Sequence, residues 1–150
     1  MAADAATIHA SAVLIGPKAA LIRGPAGSGK SQFVWDLLQV TEFGALPFAR
    51  LVGDDRVHVD TRAGRLLVRP AAQLAGLLEI RGLGIRRLPY EPVAAVALVV
   101  DLAAEDAGRH PQETGSTAIG GVSLPRLAVA PGMRALSMVL AFLKSSPAGI

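Results

Sequence analysis

Apolar positions along this chain fall mostly in short runs or on alternate residues, and only a few stretches repeat them at helical spacing. Residues 9–15 (His-Ala-Ser-Ala-Val-Leu-Ile) and 19–23 are apolar and partly β-branched, with Gly16-Pro17-Lys18 between them. They predict a hairpin of two strands. Over residues 29–40, Phe33, Val34, Leu37 and Leu38 recur at three- to four-residue intervals, which predicts a helix, and Gly44 and Pro47 then break the pattern. Residues 49–53 read as a strand ending in Asp54-Asp55. Residues 57–60 and 65–69 read as a second hairpin, joined by Thr61-Arg62-Ala63-Gly64.

Further along, Leu74, Leu77 and Leu78 on one side predict a short helix over residues 70–78, followed by an extended segment at 79–85 that Gly82 and Gly84 punctuate. Residues 93–100 are the most strand-like run, apolar on both faces and closed by Asp101. Residues 103–121 are polar and predict a loop, 122–130 a strand, and Pro131-Gly132 a turn. A terminal amphipathic helix follows at 133–144, with Leu136, Val139, Leu140 and Leu143 inward, and then a frayed tail at 145–150. Strands alternating with two or three helices predict an α/β domain, and 150 residues suit a single one.

The first hairpin leads into Gly24-Pro25-Ala26-Gly27-Ser28-Gly29-Lys30-Ser31, a complete G-x-x-x-x-G-K-[ST] loop between a predicted strand and a predicted helix. Its glycines allow the backbone to curl so that successive N–H groups face phosphate oxygens. Lys30 adds a point charge for the β/γ-phosphates, and the Ser31 hydroxyl suits Mg²⁺. A nucleoside triphosphate is the ligand this predicts.

Composition narrows what the phosphate is for. The chain carries no cysteine, which excludes disulfides, thiol catalysis and thiolate metal sites. Its longest apolar stretch is too short to span a bilayer and its start lacks a basic n-region, so no membrane association and a cytoplasmic location are expected. The formal charge of +3 is mostly arginine, densest at Arg81, Arg86 and Arg87, but aromatics make up 4% and no long basic run occurs. No nucleic-acid partner is expected; a phosphate ligand or an acidic protein explains the charge.

A P-loop enzyme also needs a carboxylate for Mg²⁺ and, in a kinase, a group that takes the proton of the attacking hydroxyl. Asp54-Asp55 at a strand end and Asp101 after residues 96–100 are equal candidates on pattern alone; the repulsion of two adjacent carboxylates would favour a base role for one. Glu79, His9 at the start of the first strand, and Arg109 with His110 in the polar loop complete the set.

His9 with Val13-Leu14-Ile15, the loop at 24–31, Leu51-Val52-Gly53-Asp54-Asp55-Arg56-Val57 and Leu78-Glu79-Ile80-Arg81-Gly82-Leu83-Gly84-Ile85 together resemble the catalytic domain of bacterial HPr kinase/phosphorylase. The resemblance runs from about residue 8 to 86 and is weaker beyond. It implies an α/β P-loop kinase domain of the HPr kinase/PEP carboxykinase-like type, a mixed sheet with flanking helices, in a short form without the family's N-terminal domain. The implied reaction is ATP-dependent phosphorylation of a serine of HPr, the phosphocarrier of the phosphotransferase system.

By position, the resemblance makes Lys30 a γ-phosphate contact, Ser31 and Glu79 Mg²⁺ ligands beside Asp54, Asp55 the base, His9 its support and Arg109 the loop arginine. It also implies a reverse phosphorolysis and a homo-oligomer. The family's Pro-Gly-Arg-Asn loop is represented only by Val129-Ala130-Pro131-Gly132-Met133-Arg134, which leaves phosphorolysis open. A small-molecule kinase or NTPase using Asp101, and a nucleotide sensor without catalysis, are the competing readings.

Overall fold

A computed structural model describes residues 6–42, 44, 46–108 and 115–146. Eleven strands and two α-helices occur among them: β1 (Ile8–His9), β2 (Ser11–Ile15), β3 (Lys18–Arg23), α1 (Lys30–Gln39), β4 (Ala49–Gly53), β5 (Arg56–Arg62) and β6 (Arg65–Pro70), then β7 (Leu77–Ile80), β8 (Gly84–Arg87), β9 (Ala94–Asp101), β10 (Gly115–Ile119), β11 (Val122–Ala128) and α2 (Ala135–Lys144). Nine strands form one mixed sheet along the path β1-β5-β6-β9-β3-β2-β4, with β11 and β10 added beside the C-terminal half of β9. The remaining two, β7 and β8, form a separate hairpin. The fold is the α/β mixed sheet with flanking helices that the resemblance implied.

Alternation along the central strands explains why the sheet curls around two cores. On β3, Ala19 and Leu21 enter one core while Ala20 and Ile22 enter the other; on β9, Val99 faces the first and Leu98 and Val100 the second. The first core also takes in Val57, Leu66, Val68 and Leu124. The second is closed by Phe33, Val34 and Leu37 of α1 and Val139 of α2. A strand buried on both faces reads as continuous apolar sequence, which is why residues 93–100 looked so uniform.

Two strands at the centre of this sheet position the loop. β3 and β9 run parallel, with Arg23 opposite Asp101 at their C-terminal ends. Residues 24–29 therefore leave from the carboxyl edge of a parallel pair, where α/β folds place their ligands.

Several expected elements differ. Residues 70–78 hold only a single 3₁₀ turn, Ala72–Leu74, because Gly76 turns back with φ +76° and sends Leu77 into β7. The segment after it is a β-hairpin, closed by a backbone hydrogen bond from Leu83 N–H to Ile80 C=O. The polar stretch expected as a loop contains β10, paired with β11. In α2, Met138 and Phe142 pack on the core beside Leu136 and Leu140, whereas Leu143 is exposed. No described helix is long and apolar enough to cross a membrane.

Candidate active site

The chain from Ile8 to Ile15 pairs antiparallel with residues 49–57, with an interruption at Ala10-Ser11 and a register shift between Ala12 and Val13. Register runs Ile8↔Val57 and His9↔Arg56, then resumes at Ala12↔Gly53. In the gap, Asp54 and Asp55 form a three-residue turn in which Arg56 N–H donates to Asp54 C=O at 2.8 Å, with Asp55 at φ +69°. A non-glycine residue in that conformation is strained and persists only where its surroundings hold it. Here Ala10 N–H donates to Asp55 C=O (3.2 Å) and Asp55 N–H donates to Ser11 Oγ (3.3 Å).

The turn sends the two carboxylates to different partners. Asp54 is buried, 5% exposed, and accepts hydrogen bonds from Ser11 Oγ (2.6 Å) and from Ser31 Oγ (3.0 and 2.8 Å to its two oxygens). The Asp55 side chain is 61% exposed, and its Oδ1 lies 3.1 Å from His9 Nε2. Ser11 is the site residue that the sequence did not single out. Its one signal is a lone hydroxyl in an otherwise apolar strand core, which is common and carries little weight on its own.

The glycine-rich loop at 24–29 lies between β3 and α1. Gly27 and Gly29 have φ of +81° and +94°, a conformation that L side chains rarely adopt, so glycine is required at both. Lys30 opens α1, is 8% exposed, and donates its ammonium to the carbonyls of Gly24 (2.9 Å) and Pro25 (3.2 Å). No described carboxylate lies within ion-pair distance of it. A nearly buried ammonium held only by neutral carbonyls of its own loop is suited to a phosphate anion. Ser28 Oγ is likewise buried without a partner, and Gly24 leaves the room for it, since a Cβ there would lie 2.5 Å from that oxygen. The cradle fits a polyphosphate, and Ser31 with Asp54 supplies two hard oxygen donors of the kind Mg²⁺ prefers.

Glu79, Arg109 and His110 are also expected members. Glu79 is exposed on β7 without a polar contact, and no three described His, Asp or Glu side chains gather as a metal-holding group. Strand alternation buries Leu78 and leaves Glu79 exposed. Arg109 and His110 lie outside the described residues.

Asp101 is already committed to two arginines. Arg23 donates to it through Nε (2.7 Å) and Nη2 (2.9 Å), and Arg126 donates from β11 through Nε. Arg126 also reaches Asp106 with two bonds of 2.9 Å. Burial pushes the Asp101 carboxyl up, but the hydrogen bonds from Arg23 and then Arg126 outweigh it and hold the group below the ordinary carboxylate value. The hydrogen bonds of Asp106 and Asp101 raise Arg126 above the ordinary guanidinium value. This is a structural ion cluster and leaves Asp101 without free oxygens for a metal.

Comparison with known proteins agrees with this fold. No family model matches the chain. An HPr kinase/phosphorylase of Mycoplasma mycoides is 32% identical over 77 residues, covering 51% of this chain and 22% of that protein. One from Streptococcus thermophilus is 39% identical over 84 residues, covering 55% of this chain and 25% of that protein. The solved HPr(Ser) kinase/phosphatase of Coxiella burnetii superposes with a TM-score of 0.75 at 21% identity, over 93% of this chain and 88% of that one. The chain is HPr kinase-like in sequence and in fold. The matched part spans about a quarter of the length of the curated relatives.

Proposed function

We propose that this HPr kinase-like chain is an ATP-dependent protein kinase that phosphorylates a serine of an HPr-like phosphocarrier. The observation that carries the reading is the turn at Asp54-Asp55, which gives one carboxylate to the phosphate loop through Ser31 and leaves the next exposed and oriented by His9. A kinase needs both groups and needs them separate.

In the proposed reaction, the loop N–H groups and Lys30 hold the β- and γ-phosphates in place. Mg²⁺, bound at Ser31 and Asp54, would neutralise charge on the phosphate oxygens. Asp55 takes the proton of the incoming serine hydroxyl, whose oxygen bonds to the γ-phosphorus. The bond from that phosphorus to the bridging oxygen breaks, and ADP leaves with the electron pair. His9 orients the Asp55 carboxylate and holds it toward the approaching hydroxyl. In the reverse direction, inorganic phosphate would attack phosphoserine and Asp55 would return the proton, giving serine and pyrophosphate.

A small-molecule kinase built on Asp101 is disfavoured, because that carboxylate is bound by Arg23 and Arg126. The test is incubation with Mg²⁺, ATP labelled at the γ-phosphate and an HPr protein, followed by mapping of the label. Label on an HPr serine supports the reading; ATP binding without transfer to HPr overturns it in favour of a sensor.

A further inference from the structure

An open cleft of about 430 Å³ lies beside the phosphate loop, on the face that carries neither Asp54 nor Asp55. One wall is formed by Ser28 and Gly29 of the loop and by Gln32 and Asp36, four residues apart on one stripe of α1. The facing wall is residues 129–137, between β11 and the first turns of α2, with Leu102 at the base.

Its chemistry changes along its length. At the loop end sits the buried, unpartnered Ser28 Oγ. Along the sides are apolar groups: Phe33, Leu102 and Val129 are buried, and Met133 is 58% exposed at the rim. At the far end the Gln32 amide donates to Asp36 Oδ1 at 2.9 Å, which leaves the second Asp36 oxygen and the Gln32 carbonyl as acceptors. Asp36 is six residues beyond Lys30, about 9 Å along the helix axis. An apolar slot with a few polar groups at its ends, in this size range, is the usual form of a small-molecule site.

We infer that this cleft seats the nucleoside of the bound nucleotide, its base covered by Met133 against the Phe33, Leu102 and Val129 wall and its polar edge facing the Gln32–Asp36 pair. The inference rests on the reading that the loop holds the nucleotide's phosphates. A phosphate chain bound at residues 28–31 leaves the loop directly into the cleft. The acceptor serine can then approach from the other side, where Asp55 is exposed. Ser28 Oγ, where the two regions meet, is placed to bond the first atoms that emerge from the cradle. The exposed Met133, which has no packing role to explain its position, becomes the cover of a flat ring.

The test measures calorimetric affinities of ATP, ADP and inorganic tripolyphosphate for the full chain and two variants. Met133→Ala removes the cover; Ser137→Trp places bulk at an exposed position lining the cleft. The inference expects ATP to bind the wild type at least about tenfold more tightly than tripolyphosphate, and each variant to lose several-fold in ATP affinity while tripolyphosphate affinity stays within about twofold. An ATP-to-tripolyphosphate ratio unchanged in both variants, or equal binding of the two by the wild type, overturns the nucleoside seat and leaves the phosphate loop intact. Failure of the wild type to bind either ligand overturns the loop reading itself, and this inference with it.

Discussion

Ser31 donates its hydroxyl to Asp54, with Oγ 3.0 and 2.8 Å from the two carboxylate oxygens. The bond ties the last residue of the phosphate loop to the end of β4, and Ser11 braces the same carboxylate from β2 at 2.6 Å. A buried carboxylate held by two hydroxyls is costly unless something positive completes it. The proposed Mg²⁺ is that charge. Asp54→Asn is therefore expected to abolish the gain in ATP affinity that Mg²⁺ confers, while binding in excess EDTA changes little. Titrations of wild type and variant with and without Mg²⁺ check this, and an equal Mg²⁺ response in both would remove Asp54 from the metal site.

Asp55→Asn separates catalysis from folding. Asparagine tolerates φ near +69° about as well as aspartate, so the turn should survive. It cannot take a proton, so transfer to HPr should fall by roughly 10²–10⁴-fold, with ATP affinity within about twofold of wild type. His9→Ala should cost less, because it removes only the group that orients the carboxylate. Phosphotransfer rates at saturating ATP, beside calorimetric ATP affinity, decide the point; undiminished turnover in Asp55→Asn excludes it as the base.

Much of this arrangement was legible in the chain. The loop at 24–31 is a local motif whose geometry follows from its own glycines, and the helix after it has a clean apolar stripe. What sequence could not show are properties of the tertiary fold. Asp54-Asp55 and Asp101 are both acids at strand ends; only packing brings Arg23 and Arg126 onto Asp101 and Ser31 onto Asp54. Leu74, Leu77 and Leu78 fit a helix as well as a turn and a strand, and Gly76 decides between them. β10 has no apolar alternation to announce it, because it is an exposed strand whose order comes from pairing with β11. Ser11 became part of the site only through the break in a ladder formed with residues more than 40 positions away.

Gly53 tests how tightly that break is packed. A Cβ at this position would lie 2.7 Å from Val57 Cγ1 and 3.2 Å from Pro70 Cα, against buried, close-packed neighbours. Gly53→Ala should destabilise the fold by roughly 1–3 kcal/mol, a fall in Tm of roughly 2–10 °C. It should also displace Asp54 and Asp55, so transfer should drop by more than the unfolded fraction accounts for. Thermal melts with rates measured well below Tm distinguish the two effects.

The Asp101 cluster makes a prediction with a definite sign in pH. Its carboxyl is held below the ordinary carboxylate value in the folded chain, so the stabilisation is full above about pH 4 and is lost as pH falls through the folded value. Arg23 and Arg126 stay charged throughout, so each proton taken up by Asp101 leaves two guanidiniums facing each other without their shared anion. Asp101→Asn removes the charge at every pH. At pH 7 it should be less stable than wild type by on the order of 2 kcal/mol, and the gap should close in acid as the wild type loses the same interaction. Because Arg23 directly precedes the phosphate loop, ATP affinity at pH 7 should fall with stability, although Asp101 touches no phosphate. Denaturant titrations at pH 7, 4 and 3 measure the gap; a constant difference across that range would mean the carboxylate charge is not what holds the cluster together.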